Sequence, residues 1–179
     1  MEQSELMQPT HRSNRILQPA RNWFIYLSLL IALGLTYIPT GRLPGVPDWV
    51  ALVLAFWCVR EPLRVGMGMG FVLGLLVDIG QGAAMGQHAL AYVVLCFFAS
   101  ALSRRMLWFS AWQQAMHILP LLLLAQSIMV LVRLIGGAEF PGWWYFLSSF
   151  SSALLWAPLG FLLLLPQYQP VDRDDNRPI

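Results

Sequence analysis

The sequence contains no lysine. All eleven basic residues are arginine, set against nine acids, for a net charge of +2. A chain without a lysine-rich patch is poorly equipped to grip a nucleic-acid backbone, so no nucleic acid is expected as a partner. Charge of either sign is scarce, at 11% of 179 residues, against roughly 25% in a soluble domain. That shortage excludes an ordinary soluble enzyme and a disordered tail protein. Cysteine is nearly missing as well. Cys58 and Cys96 both fall inside apolar segments, where they read as small buried hydrophobes and not as a disulfide or metal site. CxxC, HExxH, GxxxxGK[ST] and GxSxG patterns are absent, so the common metal, phosphate-loop and nucleophile signatures have no foothold.

What fills the chain is apolar. Hydrophobic residues make up 58% and the mean hydropathy is +0.60. Six stretches carry no formal charge: 23–39, 49–59, 65–77, 88–103, 113–132 and 143–166. A spanning helix needs about 20 mainly apolar residues. The first, fourth, fifth and sixth stretches meet or approach that length. Runs such as Leu119-Pro120-Leu121-Leu122-Leu123-Leu124-Ala125 are apolar on every face, which excludes the alternating strands of a β-barrel. The expected fold is therefore an all-α integral membrane protein. Residues 1–22 form a polar N-terminal segment too long and too polar for a signal-peptide n-region, 23–166 the membrane domain, and 167–179 a polar tail.

The second and third stretches are short. Arg60-Glu61-Pro62-Leu63-Arg64 separates them, and one helix through both would bury three charges and a proline near its middle. They are either two short crossings or a re-entrant hairpin. Arginine placement favours six crossings. With the N-terminus in the cytoplasm, the inner segments hold Arg12, Arg15, Arg21, Arg60, Arg64, Arg104, Arg105, Arg173 and Arg177, whereas the outer loops hold Arg42. Arg133 sits near the outer end of the fifth stretch. This split follows the positive-inside rule, with both termini inside. Trp23, Tyr26, Trp49, Trp108, Trp112, Trp143, Trp144 and Tyr145 lie at stretch ends, as interfacial anchors do.

The densest information lies between Arg60 and Leu90. Gly66, Gly70, Gly74 and Asp78 recur every four residues, so on a helix they form one stripe. Glycines on one face let another helix approach backbone to backbone, and a partner's single span is the expected occupant. The stripe ends in a carboxylate at membrane depth, which needs a partner; His88 and Arg133 lie at similar depth and either can serve. The run Gly80-Gln81-Gly82-Ala83-Ala84-Met85-Gly86-Gln87-His88 is either a flexible loop or an ordered turn that presents Gln87 and His88. His117 and His88 both read as structural histidines. Packing and partner contacts are thus expected at Gly66, Gly70, Gly74, Asp78, Gly82, Gly86, Gln87, His88 and Arg133.

Gly70-Phe71-Val72-Leu73-Gly74-Leu75-Leu76-Val77-Asp78, then Gly82, then Gly86-Gln87-His88-Ala89-Leu90, resembles the rod-shape-determining MreD family, as do Pro47, Trp57 and Pro62 upstream. These motifs cover about a quarter of the chain. The resemblance implies a non-catalytic bacterial inner-membrane scaffold of the cell-wall elongation complex, without a cofactor. Its implied partners are MreC, the MreB filament directly or indirectly, RodA and a class B penicillin-binding protein, within membrane lipid. It also implies a fold similar to the substrate-binding subunit of energy-coupling-factor transporters. The alternative function is a small-molecule-binding membrane transport subunit, with Asp78, His88 and the glycine-rich turn lining an outward pocket. Against it stands the scarcity of core polar groups: Gln113, Gln114, His117, Gln126, Ser127 and the serines at 148, 149, 151 and 152. An intramembrane enzyme is disfavoured because Asp78 reads as the sole near-core acid and no nucleophile has a base beside it in sequence.

Overall fold

A computed structural model describes residues 21–38 and 45–167. Among them are six α-helices: α1 (Asn22–Thr36), α2 (Trp49–Arg60), α3 (Met67–Gln81), α4 (Gln87–Met106), α5 (Ala111–Ile135) and α6 (Leu147–Leu164). Short 3-10 turns, Trp143–Phe146 and Leu165–Gln167, extend α6 at both ends. Arg12, Arg15, Arg42, Arg173 and Arg177 lie outside the described residues, as do most of the two expected terminal segments.

Three stretches are long and apolar enough to cross a membrane: Gln87–Met106, Ala111–Ile135 and Trp143–Gln167. The other three helices have 15, 12 and 15 residues. At about 1.5 Å per residue they reach roughly 18–22 Å, short of the ~30 Å hydrocarbon core. Within the first charge-free stretch, 23–39, the helix stops at Thr36. Just beyond it the Tyr37 hydroxyl donates to Leu76 O at 2.6 Å, fixing this end of α1 to α3.

The shortest helix has a physical reason for its length. Every residue of α2 from Val50 to Val59 is buried. A helix apolar all round is one enclosed on all sides. α1, α4, α5 and α6 each pack on α2, so the protein and not the lipid is its solvent. Trp57 is its pivot. The indole Nε1–H donates to Ser28 Oγ at 2.8 Å on α1, while Phe24 and Phe56 meet its ring edge-on. Phe56 continues the aromatic contact to Trp156 of α6, whose Nε1–H reaches Gln114 Oε1 on α5 at 3.3 Å.

The break between α2 and α3 falls where proline and charge were expected to force it. Glu61 N–H closes α2 on Trp57 O at 2.7 Å, and Arg64 and Val65 N–H then bond Glu61 O. α3 and α4 form an antiparallel hairpin: Gly70 lies against Tyr92 and Cys96, and Gly74 against His88 and Ala89. Lipid chains are as apolar as leucine, so such contacts owe their stability to close packing more than to the hydrophobic effect. No buried side-chain nitrogen or oxygen among the described residues lacks a hydrogen-bond partner.

Candidate functional site: the Asp78 clasp and the polar basin beside it

The glycine stripe is already occupied. A Cβ on Gly70 would stand 2.8 Å from Cys96 Sγ and 2.9 Å from Tyr92 O. A Cβ on Gly74 would overlap Ala89 Cα and N. The backbone approach inferred from the spacing is made, but by α4 of the same chain. This corrects the expectation that the stripe receives a partner's span, because one surface cannot hold two helices. Gly66 stands outside the contact: it precedes α3 in an extended conformation, and the nearest atom to its missing Cβ is Pro62 O at 3.9 Å. Gly80, off the stripe, is the glycine the spacing missed; a Cβ there would overlap the Tyr37 ring.

Glycines also set the turn. Gly82 caps α3 at φ +61°, and Ala83 N–H returns to Asp78 O at 3.0 Å, the backbone closure typical of a left-handed C-cap. Gly86 precedes α4 at φ +94°. Between them the turn is ordered, not a flexible loop.

Gly86 has no side chain with which to cap α4, and a helix start leaves backbone N–H groups without partners. Asp78 supplies the acceptor from the neighbouring helix. Its Oδ2 accepts from Gly86 N–H at 2.9 Å, with Ala89 N–H at 3.4 Å. Its Oδ1 accepts from His88 N–H at 2.9 Å and faces His88 Nδ1 at 2.7 Å. Asp78 is 2% exposed. A carboxylate can be this deep because it sits at the positive end of a 20-residue helix among converging donors. The partner left open between His88 and Arg133 is therefore His88. Arg133 makes no ion pair with Asp78; it lies on the rim of the adjoining cavity. Gln87, half of the pair expected to be presented, is 5% exposed and faces the same cavity from below.

Two polar cavities open beside the clasp. One of about 340 Å³ is bounded by Gln81, Gln87, His88, Arg133, Tyr145 and the glycine turn. The other, about 210 Å³, is bounded by Asp48, Tyr92, Gln126, Tyr145 and Ser148. Gln81, His88 and Tyr145 line both, so the two form one basin at the end of the bundle opposite Arg60.

Its second half was missed from sequence. Asp48, immediately before the charge-free stretch 49–59, caps α2, accepting from Ala51 N–H at 2.9 Å. The Tyr92 hydroxyl donates to both Asp48 oxygens at 2.9 and 3.0 Å, and Asp48 N–H reaches Ser152 Oγ at 3.2 Å. Asp78 is thus not the sole near-core acid. The available signal was local: Asp immediately before an apolar helical run is an N-cap pattern. Gln126 organises the wall opposite, donating to Ser148 Oγ at 2.9 Å and accepting from Ser149 Oγ at 2.5 Å.

These bonds hold the polar groups of the basin in defined orientations. His117 is engaged away from the serines of α6: its Nδ1 meets Gln113 O at 2.8 Å and its ring stacks on Phe109. Asp48 and Asp78 each hold their own donors. The basin offers amides, hydroxyls, a guanidinium and His88 around a concave space, which suits binding of a polar segment.

A family model described as rod shape-determining protein MreD matches residues 15–165. A rod shape-determining protein MreD from Haemophilus influenzae is 30% identical over 145 residues, covering 79% of this chain and 89% of that protein. No solved structure matches the chain, so the likeness to energy-coupling-factor subunits rests on the family resemblance alone. The match runs from before α1 to the end of α6, across the clasp and the basin together, and the chain belongs to the MreD family of rod shape-determining membrane proteins.

Proposed function

We propose that this protein is a non-catalytic scaffold of the cell-wall elongation complex. It crosses the bacterial inner membrane six times with both termini in the cytoplasm and holds MreC directly. Through that assembly it serves RodA, a class B penicillin-binding protein and the MreB filament. Family membership supports the role in shape. The observation that carries the scaffold reading is the basin: an open polar concavity whose rim is pinned by Asp78 and crowned by Arg133. A rigid rim lets a partner segment dock without an ordering cost on this side. Six short and long crossings remain compatible with the bilayer because α2 is shielded by its neighbours.

Photo-crosslinking amino acids at Gln81 and Ala84, on the basin, should capture MreC in intact cells. The same probe at Phe71, ten residues back along α3 toward the other end of the bundle and half exposed, should not. Capture from Phe71 alone would overturn basin docking. Topology is tested separately. Reporters fused after Gln87 and after Arg105 should report opposite sides of the membrane, and same-side signals exclude six crossings. A small-molecule-binding transport subunit is the competing function, and it would use the same cavities. A specific micromolar ligand from a vitamin and lipid panel, bound without MreC, would favour it.

A further inference from the structure

Charge among the described residues is divided between the two ends of the bundle. Asp48, Asp78, Glu139 and Arg133 belong to the basin end. The contacts place the remaining charges at the other end. α3 runs antiparallel to α4, with Asp78 at Gly86 and Gly70 at Cys96, so the turn after α2 lies beside the last turn of α4. α2 runs from Asp48, bonded to Tyr92, toward that same end. Phe24 and Ser28 meet Trp57, so α1 begins there too. Arg21, Arg60, Arg64, Arg104 and Arg105 therefore share one end with a single described acid, Glu61, which stands 3.7 Å from Arg64.

Apolar side chains are interleaved with these arginines and stand in the open. Leu63, between Arg60 and Arg64, is 100% exposed, and Trp108, just past Arg104 and Arg105, is 90% exposed. Met67 is half exposed next to them. α3 also begins here, and its N-cap residue Gly66 provides no side-chain acceptor for the first-turn amides. Uncapped helix N–H groups beside arginines favour phosphate.

We infer that the α2–α3 turn and the end of α4 form a docking surface for an anionic phospholipid headgroup, best matched by a lipid with two phosphates. The arginines come in two pairs, Arg60 with Arg64 and Arg104 with Arg105, one pair for each phosphate. Leu63 and Trp108 extend past the phosphate level into the upper acyl region, where aromatic and aliphatic groups are favoured. A free phosphate ion satisfies the arginines but leaves Leu63 and Trp108 in water; a lipid covers both. Arginine in place of lysine fits as well, since its planar fork takes phosphate oxygens bidentately. The inference is independent of which partner occupies the basin.

The test uses the full chain in neutral detergent, with native mass spectrometry and thermal unfolding as readouts. Cardiolipin should be retained about tenfold or more over phosphatidylcholine, with phosphatidylglycerol between them, as the net negative charge of the three headgroups predicts. Cardiolipin should raise Tm, while inorganic phosphate at the same phosphate concentration should not. Arg104→Gln/Arg105→Gln should erase most of the cardiolipin preference, whereas Glu139→Gln, which neutralises a charge of the opposite sign at the far end, should leave it intact. Equal retention of cardiolipin and phosphatidylcholine by the wild-type chain overturns the inference, whether or not the variants fold. So does an unchanged preference in the double variant, or a Tm rise from inorganic phosphate equal to that from cardiolipin.

Discussion

Gly74→Leu is expected to eliminate the folded protein. Even the first added carbon overlaps Ala89 Cα and N, and these are backbone atoms of a 20-residue helix that cannot swing aside. The remaining leucine atoms must force α3 from α4 at the level of the clasp, breaking the Asp78 bonds to Gly86 and His88. Overpacking alone costs typically ~1–3 kcal/mol, and loss of a buried polar network adds to that. A total above about 3 kcal/mol consumes most of a marginal stability. Gly68→Ala is the control. Gly68 lies in the same helix with nothing within 4 Å of its missing Cβ, and alanine should be neutral or stabilising by roughly 0.5–1 kcal/mol through helix propensity. Fluorescence-detected size exclusion and a thermal ramp separate the two. A monodisperse Gly74→Leu protein melting within a few degrees of wild type would falsify the packing assignment.

This outcome changes how shape defects in such variants are understood. A cell that loses its rod form with Gly70→Leu or Gly74→Leu has lost the α3–α4 hairpin before it has lost a partner. Partner contacts are better tested at exposed basin positions such as Gln81 and Ala84, whose side chains pin nothing in the hairpin.

The same residues show how far sequence reaches into this fold. Four-residue glycine spacing is a property of a helix, so the stripe and its demand for close approach were legible. What approaches was not, because spacing along one helix says nothing about its neighbour. The α2–α3 break was legible in Pro62 and the flanking charges. The enclosure of α2 was not. An apolar run of 11 residues looks the same whether lipid or protein surrounds it, and only the packing of α1, α4, α5 and α6 on it decides. Asp48 was lost for a different reason. Sorting charges into segments pushes a boundary acid into a loop, while its N-cap role places it inside the structure. The pairing of Asp78 with His88 spans ten residues, a separation no helix face provides. Only the tight turn between Gly82 and Gly86 brings them together, and Arg133, equal in depth by sequence, stays on the rim.

Asp78→Ala is expected to be the most damaging substitution that removes atoms without adding any. It strips the acceptor from the N–H groups of Gly86 and His88 and from the His88 ring at once. At 2% exposure little water can replace it. Each buried donor left unsatisfied costs about 1–3 kcal/mol, so a loss of roughly 3–5 kcal/mol follows. Asp78→Asn should cost less, since one oxygen still accepts while the amide NH₂ meets the donors on the other side. The decisive measurement is a pair of double-mutant cycles by reversible unfolding in mixed micelles. Asp78→Asn with His88→Ala should couple by about 1 kcal/mol or more, as residues in one hydrogen-bond network do. Asp78→Asn with Arg133→Gln should add to within about 0.5 kcal/mol, as independent sites do. The reverse pattern would place the buried charge in the hands of Arg133 and dissolve the clasp. With the expected pattern, Asp78 acts as the cap of a helix it does not belong to, and Arg133 remains available to whatever enters the basin.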